Sequence, residues 1–425
     1  MKNKYELVPY FPYNVTGMKL HLEKMAQKGW IIDKITNNTW RYKKAEPQTL
    51  NFAVSYFAKA SEFEPYKSEG QEMFEDLCEH AGWKLLAENN KLQIYANKDM
   101  DATPIYTDAE SEVNAIIKSN KNFVWATSIL MAVCVLNGFM KARSNIHNPL
   151  IALSDMTMIY ISIAMIILFC HMTWVLLKYF QWKRKALAAV EYNEFIPTAT
   201  NDSSYQHAIL ILVITIMIFG VVSSKDYQTA KYMLIMGLGT FCIYLIVDLS
   251  KRFMKKRKVE KDSNIILSLL LNVVLCILLV ASVTYITFTS IGDTSNSSEK
   301  VYFTTADFKE NESKEMYTIY KESPWISYNE AFTDGGANEY VYYRVIDVKK
   351  DKLNNFALES LLKDIEEEAY YEEIDAREFD ADKAYQLING SLETYLLKYG
   401  SRYAEVQFSW KLTTQDKFQV ADLLK

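Results

Sequence analysis

Five stretches of the chain are apolar over lengths that suit a membrane-spanning helix. A hydrocarbon core of about 30 Å is crossed by about 20 apolar residues in a helix. Charged loops separate the stretches, which distinguishes them from a single buried helix of a soluble core. We therefore predict an α-helical transmembrane bundle whose five spans are Phe123–Met140, Met156–Leu177, Ala208–Val222, Tyr232–Leu249 and Ile265–Thr289.

The second and fourth spans end alike. In each, a Phe-Cys pair, at Phe169 or Phe241, stands 14 residues before a basic triplet, and an Asp-Ser pair follows before the next span. One interpretation is a duplication of a two-span hairpin. The other is that helix ends on the same side of a membrane have similar compositions.

The first 115 residues change from helical to strand periodicity twice. A helix over Met18–Lys28 is followed by a strand over Trp30–Ile35, an Asn-Asn turn at 37–38 and a second strand, TWRYKK. LNFAVSYF predicts a third strand, and EMFEDLCEHAGW starts another helix and strand pair, with the two Gly-Trp pairs 53 residues apart. We expect one sheet with both helices on one face, a ferredoxin-like α+β domain over residues 1–115.

Residues 291–425 follow the fifth span and are predicted to form a separate α+β domain. Strands are predicted in YVYYRVIDVK and AEVQFSWKL, and helices in LNNFALESLLKDIEEEAYY and over Ala384–Tyr399. From Gly292 onward the region has 16 basic residues, 27 acidic residues and no cysteine, so a hydrophobic core must hold it together without disulfides. Residues 116–290 are left for the bundle.

Positive charge is distributed unevenly among the loops. The run KRFMKKRK, residues 251–258, has six basic residues, and the loops on its side of the spans hold 13 Lys and Arg against 4 on the other side. Since basic loops stay in the cytoplasm, residues 1–115 are predicted to be cytoplasmic and the C-terminal domain extracytoplasmic. The N-terminus lacks an apolar signal segment, so an internal span is expected to start insertion.

Two motifs of the N-terminal region, LEKMAQKGW and FEDLCEHAGW, together with the strand pair after the first, resemble the bacterial domain-of-unknown-function family 2812. The resemblance covers about residues 8–110. It implies a multi-pass protein of the cytoplasmic membrane of a Gram-positive bacterium, because members join such a domain to membrane spans. Members' genes often lie near PadR-type transcriptional regulators, which implies a role in regulation or stress response. The family has no catalytic residues to carry over.

Signatures of common enzymes are absent from the sequence. It contains no GxxxxGK[ST], HExxH, GxSxG or GxGxxG motif and no CxxC pair. We therefore predict no enzymatic activity, no catalytic residue, no cofactor and no metal site. The carboxylate run Glu366–Glu368 is interpreted as a solvated helix end, with a weak calcium site as the alternative.

Polar residues inside the predicted spans are candidates for function, because such groups are costly in a bilayer. These candidates are His171, Asn137, Asn272 and Asp248. The structural alternative is that neighbouring helices satisfy the first three and that Asp248 forms an ion pair at the interface. The basic run either contacts anionic lipid headgroups or only sets the topology. Its candidate lipid contacts are Lys251, Arg252, Lys255, Lys256, Arg257 and Lys258.

These features favour a non-enzymatic envelope sensor or signalling component that couples an outer domain to a cytosolic partner. The alternatives are a transporter or antimicrobial-resistance factor acting within the bundle, and a scaffold subunit of a membrane complex. The expected partners are the lipid bilayer and a cytosolic regulator or membrane partner protein. Nucleic acid is not expected, since the net charge of the chain is −5. The sequence predicts no oligomeric state.

Overall fold

The chain divides into two compact units, and the membrane helices contribute segments to both. The computed structural model describes residues 2–7, 10–36, 39–198, 205–224, 227–291, 301–309, 315–336, 339–363, 369–390 and 392–425. The first unit comprises Met1–Val135, Met165–Ile214 and Gly237–Leu279. The second comprises Leu136–Ala164, Thr215–Met236 and Val280–Lys425.

Within the described ranges, five helices are long and apolar enough to span a membrane, as predicted, which indicates a multi-pass membrane protein. At most 17% of the residues in any of their apolar windows are buried within the protein, as suits helices surrounded by lipid. A short helix, α5, separates the first two. The bounds are α4 Lys121–His147, α5 Pro149–Ser154, α6 Met156–Val190, α7 Tyr205–Ser224, α8 Tyr227–Lys256 and α9 Lys261–Ile291.

The N-terminal region repeats the order strand, helix, strand, strand. The first repeat is β1 Asn3–Leu7, α1 Val15–Gln27, β2 Trp30–Ile35 and β3 Thr39–Lys44. The second is β4 Asn51–Tyr56, α2 Glu69–His80, β5 Lys84–Asn89 and β6 Leu92–Asn97, and α3 Ala109–Ser119 leads to α4. The predicted helix–strand–strand units are therefore confirmed, while the Asn-Asn turn at 37–38 lies outside the described residues.

From the helix to the last strand, the two repeats keep an offset of 53 residues. In β2 and β3, Ile32 pairs with Tyr42, and in β5 and β6, Leu85 pairs with Tyr95. Each hairpin has a register shift at the next position, between Ile32 and Lys34 and between Leu85 and Ala87. Glycines with positive φ follow both helices, as C-cap positions favour. This common register identifies a tandem repeat.

The prediction of one ferredoxin-like sheet is wrong. The described strands form two three-stranded sheets, in the orders β1-β3-β2 and β4-β6-β5. The reason is that β1 and β4, which precede the helices, pair with the inner strands β3 and β6. The edge strands β2 and β5 lie side by side without a shared ladder, and both carry the bulge just described.

The core of this region lies between the helices and the two sheets. Met18 and Leu22 of α1 are 1% exposed and pack in one cluster with Trp40 of β3, Phe52 of β4 and Ile94 of β6. A smaller cluster forms under α2 around Cys78 and Trp83. The two tryptophan-bearing hairpins are thus held by burial of apolar side chains.

The C-terminal domain is a seven-stranded antiparallel sheet in the order β10-β11-β12-β13-β9-β8-β7. Its strands are β7 Glu315–Glu322, β8 Ile326–Gly336, β9 Glu339–Val348, β10 Tyr370–Ile374, β11 Lys383–Ile388, β12 Glu393–Tyr399 and β13 Arg402–Phe408. The helices are α10 Asn354–Lys363 and α11 Thr414–Leu424, with 3-10 turns at Thr305–Asp307, Asp351–Leu353 and Ala376–Phe379. Alternate residues of β9 and β13 enter different core clusters, so both faces of the sheet are covered.

The predicted helix over Ala384–Tyr399 is wrong, since this segment forms the hairpin of β11 and β12. Leu396 enters one core cluster, whereas Tyr395 and Leu397 enter the other. A strand buried on both faces reads as an apolar run without alternation, which resembles a helix in sequence. The predicted strands at β9 and β13 are confirmed, as is the first part of the helix at α10. Residues 364–368, with the carboxylate run, lie outside the described residues.

The second unit also includes α5, which packs on the C-terminal sheet. Leu150 of α5 is 5% exposed and belongs to the same core cluster as Ile326 and Tyr328 of β8. Beside it, the Lys321 ammonium lies 2.6 Å from the Asp155 carboxylate. The link between the first two membrane helices is therefore part of the core of this unit.

Candidate functional site

The segment between β1 and α1 inserts two aromatic side chains among the membrane helices of the first unit. The Phe11 ring lies 6.4 Å from the rings of Phe123, His171 and Tyr205. The Tyr13 ring meets the Tyr179 ring edge-on at 5.2 Å. Phe11 and Tyr13 are 8% and 4% exposed, so this contact is a small hydrophobic core in its own right.

The corresponding segment of the second repeat, residues 57–68, contacts α8 and α9 through charged and polar groups. Glu62 lies 3.2 Å from the Lys251 ammonium, and Glu64 lies 3.1 Å from that of Lys261. The Asn264 side-chain amide donates a hydrogen bond of 3.0 Å to the Phe63 carbonyl. The basic end of α8 thus lies against the N-terminal region.

The connection between α6 and α7 is fixed to the N-terminal region as well. The backbone N–H groups of Thr16 and Thr198 each donate to the other residue's hydroxyl oxygen, at 2.9 and 3.0 Å. The Ala109 N–H, at the start of α3, donates to Asn193 Oδ1 at 3.0 Å. The N-terminal region therefore contacts the α6–α7 connection as well as the adjoining ends of α8 and α9.

A cavity of about 1140 Å³ lies within the first unit, between these contacts. One part of its wall is apolar and comes largely from the membrane helices, including Phe123, Leu168, Met172, Val175 and Leu210. Another part is polar and comes largely from loops and helix ends, including Lys59, Lys91, Ser119, Asn120, Asn122 and His207. The wall thus combines apolar side chains of the membrane helices with polar side chains of loops and helix ends, and this cavity is the candidate functional site.

Two polar atoms at the cavity wall have no hydrogen-bond partner among the described residues. Asn120 is 1% exposed, and its amide donates to the Ile116 carbonyl at 2.8 Å, which leaves Oδ1 unpaired. The neighbouring Ser119 hydroxyl is buried and unpaired too. Unpaired buried polar atoms are rare, because each costs about 1–3 kcal/mol. They offer one acceptor and one donor to a bound molecule.

The structure brings one of the four predicted intramembrane candidates to this cavity. His171 lines the wall and touches Phe11. Asn272 accepts a hydrogen bond from the Cys276 thiol at 3.3 Å, and Asp248 pairs with Arg252 at 2.6 Å. Asn137 lies on the part of α4 that belongs to the second unit. These last three do not line the cavity.

The six basic residues of the run at 251–258 have different surroundings. Lys251 pairs with Glu62, and Arg252 pairs with Asp248. The Lys258 ammonium lies 5.4 Å from the centre of the Tyr66 ring, and a hydrogen bond with Tyr66 raises the pKa of Lys258. Arg257 lies over the Phe253 ring, and Lys255 and Lys256 are exposed. Part of the run thus binds the protein itself.

The role of the segment 57–68 and of the polar cavity residues was not predicted from the sequence. One feature of the repeats pointed to this segment. The link between β4 and α2 is longer than the link between β1 and α1, although the spacing from each helix to its hairpin is the same. It also carries Glu62 and Glu64, which complement a basic run elsewhere in the chain. Asn120 gave no sign, because a lone asparagine at a helix junction is common.

Glu112, a carboxyl group of the first unit, has a raised pKa. Burial raises the pKa of Glu112 on α3 to about 7, although the nearby Lys19 ammonium on α1 lowers it. A buried carboxyl group without a close partner favours its neutral form. Glu112 therefore changes charge near neutral pH at the contact between α3 and the first repeat.

Residues 17–129 match the model of the family described as "Protein of unknown function (DUF2812)", which confirms the resemblance of the N-terminal region. The match starts within α1 and ends within α4, so it includes the first residues of a membrane helix. No curated protein and no solved structure matches the chain.

Proposed function

We propose that this chain is a non-enzymatic signalling component of a membrane, in which the N-terminal tandem repeat responds to the arrangement of the membrane helices. The observation that supports this is the double docking of the repeat. One segment packs Phe11 against α4, α6 and α7, and the equivalent segment pairs Glu62 and Glu64 with the basic ends of α8 and α9. A change in helix positions would thereby move one repeat relative to the other.

For sidedness, we propose a bacterial cytoplasmic membrane with the N-terminal region inside and the C-terminal domain outside. The loop charges support this orientation, with 13 basic residues against 4. The contact between Lys251 and Glu62 supports a common side for the basic run and the N-terminal region. A soluble cytosolic regulator bound to the tandem repeat would then receive the signal.

Cysteine labelling tests the sidedness. Lys255→Cys and Lys411→Cys place a new thiol in the basic run and in the C-terminal domain. In intact cells, a membrane-impermeant maleimide is expected to label the second variant but not the first. Labelling of Lys255→Cys in intact cells, at the level reached after lysis, would reverse the proposed orientation.

A charge swap tests the signalling role. In crosslinked membranes, the full chain is expected to recover a soluble regulator, and Glu62→Lys with Glu64→Lys should change the recovery, since both ion pairs become repulsive. Adding Lys251→Glu and Lys261→Glu should restore it. If deletion of residues 1–115 leaves every interaction and the expression response unchanged, the signalling role is wrong.

The alternative of a transporter or resistance factor is favoured by one observation, the cavity that includes His171 and His207. If transport is the function, His171→Leu should abolish an uptake or resistance phenotype while Asn272→Leu, away from the cavity, should not. Equal phenotypes for both variants and the unaltered chain would argue against transport.

A further inference from the structure

We infer that the cavity of the first unit binds an anionic lipid, with its acyl chains between α4, α6 and α7 and its phosphate-bearing head near Lys59 and Lys91. This inference concerns a ligand and does not depend on the signalling role. The chemistry of the residues that line the cavity supports it.

The apolar end is formed by membrane-helix residues. Phe123 of α4, Leu168, Met172 and Val175 of α6, and Leu210 of α7 line it. All of them lie within candidate membrane spans, so this part of the wall belongs to the segments that acyl chains surround. In a bilayer, lipid hydrocarbon chains are the apolar groups present at high concentration around membrane-spanning helices.

The polar end carries two lysines that no carboxylate among the described residues neutralises. The final β4–β6 pair, Tyr56 with Leu92, and the hydrogen bond from the Phe57 N–H to the Lys91 carbonyl bring the two loops with Lys59 and Lys91 together. Neither lysine forms an ion pair within the described part of the chain. The other charged groups at the wall are already compensated, since Glu62 pairs with Lys251 and Lys261 pairs with Glu64.

The positive charge of Lys59 and Lys91 favours an anionic ligand. The unpaired atoms of Ser119 and Asn120 indicate which further polar groups the ligand carries. The Ser119 hydroxyl can donate to a phosphate oxygen, and Asn120 Oδ1 can accept from a hydroxyl group. A head with both phosphate and hydroxyl groups, as in phosphatidylglycerol, carries a partner for each of these kinds of group. A zwitterionic choline head supplies no hydroxyl and adds a positive charge beside the lysines.

The cavity volume agrees with a ligand larger than a free anion. Pockets for small molecules measure about 300–1,000 Å³, and this cavity measures about 1140 Å³. A free phosphate would occupy the polar end and leave the apolar end without a partner. A lipid from the surrounding bilayer fills both ends.

Binding of tritiated lipids to the immobilised full-length protein in mild detergent tests the charge part. Phosphatidylglycerol is expected to bind about tenfold or more tightly than phosphatidylcholine with the same chains. The double variant Lys59→Gln, Lys91→Gln should lose this preference. The control Lys255→Gln, Lys256→Gln removes the same charge from exposed positions outside the cavity and should keep it. Equal binding of both lipids, or an equal loss in the control, would show only non-specific lipid contacts and overturn the inference.

A second arm tests the acyl-chain part and the source of the phosphate. Leu168→Trp fills the apolar end and should abolish phosphatidylglycerol binding, whereas Ile166→Trp, on the same helix at a 63% exposed position, should not. Retained binding in Leu168→Trp would overturn the placement of the chains. Excess glycerol 3-phosphate should not displace the lipid, and full displacement would identify a soluble phosphate ligand instead. The double lysine variant keeps the test decisive if Leu168→Trp fails to fold.

Discussion

The two repeats of the N-terminal region use the same segment, the link between first strand and helix, to contact the membrane helices in different ways. In the first repeat the link buries Phe11 and Tyr13 in a cluster of aromatic rings. In the second it places Glu62 and Glu64 against lysines that remain partly exposed. One fold position thus supports two kinds of contact.

The difference in chemistry predicts a difference in strength. Burial of a large aromatic side chain contributes several kcal/mol, whereas an exposed ion pair contributes about 0–1 kcal/mol and weakens with salt. The first repeat should therefore stay attached to the helices under conditions that release the second. Two of the four variants below test this asymmetry directly, and the other two probe the α3 contact and the helix ends of the repeats.

The largest effect is expected from Phe11→Ala. Removing the ring from its cluster should lower the free energy of unfolding by about 3 kcal/mol, because the deleted side chain leaves a cavity between the helices. Thermal unfolding of the full chain in detergent measures it. Tyr192→Ala removes an aromatic ring that is 78% exposed and should cost little. Equal losses in the two variants would contradict a buried aromatic contact.

The next effect is that of pH on the α3 contact of the first repeat. The pKa of Glu112 is about 7 in the folded chain against 4.5 for the free group, so its protonated form contributes stability below pH 4.5. That contribution is lost as the pH rises through 7. Glu112→Gln should therefore stabilise the chain at pH 8, by at most about 3 kcal/mol, and not at pH 4.

Unfolding at pH 4 and pH 8 measures the Glu112 effect. The control is Glu110→Gln, an exposed position on the same helix. A stabilisation that is equal at both pH values would rule out a change of charge at Glu112 as its cause.

A smaller effect should separate the two helix-terminating glycines. Gly29 has φ +75° and a Cβ there would lie 2.7 Å from the Ala45 carbonyl oxygen, whereas at Gly82, with φ +84°, it would lie 3.0 Å from the Asn97 side chain. Both alanine variants incur about 1–2 kcal/mol from the left-handed backbone. Gly29→Ala should cost more in thermal unfolding, because a backbone atom cannot move aside as a side chain can. A greater loss for Gly82→Ala would contradict this reasoning.

The smallest effect on stability is expected from the ionic contact. Glu62→Gln with Glu64→Gln should lower the free energy of unfolding by less than about 2 kcal/mol in total, and the loss should vanish at about 1 M salt. Limited proteolysis of residues 57–68 at low and high salt measures the release of the segment. A salt-independent difference between the variant and the unaltered chain would show that charge does not hold this segment.

Several parts of the fold followed from the sequence because their patterns are local. The five spans stand out by length and apolarity, and each helix of the repeat ends at a glycine before a tryptophan. The number of sheets did not follow, because β1, NKYEL, is a short and mostly polar strand whose pairing with β3 depends on tertiary contacts. The prediction for the segment of β11 and β12 was wrong for the opposite reason, since these strands are apolar on both faces and therefore lack the alternation of a strand.

The cavity could be predicted only in part. His171 was accessible to sequence reasoning, because an ionisable group in a membrane span is unusual. Lys91, Asn120 and Leu210 also line the wall, yet they come from a hairpin turn, a helix junction and a membrane helix that are distant in the chain. Only the folded chain shows that they share one space.

The missing ladder between β2 and β5 has a mechanical consequence. A continuous sheet would tie the two repeats by backbone hydrogen bonds, and shearing it would break several of them at once. Among the described strands, β2 and β5 lie side by side but belong to separate sheets, and each has a bulge at the corresponding position. A shift of one sheet against the other would therefore leave the hydrogen-bond ladders within each sheet unbroken.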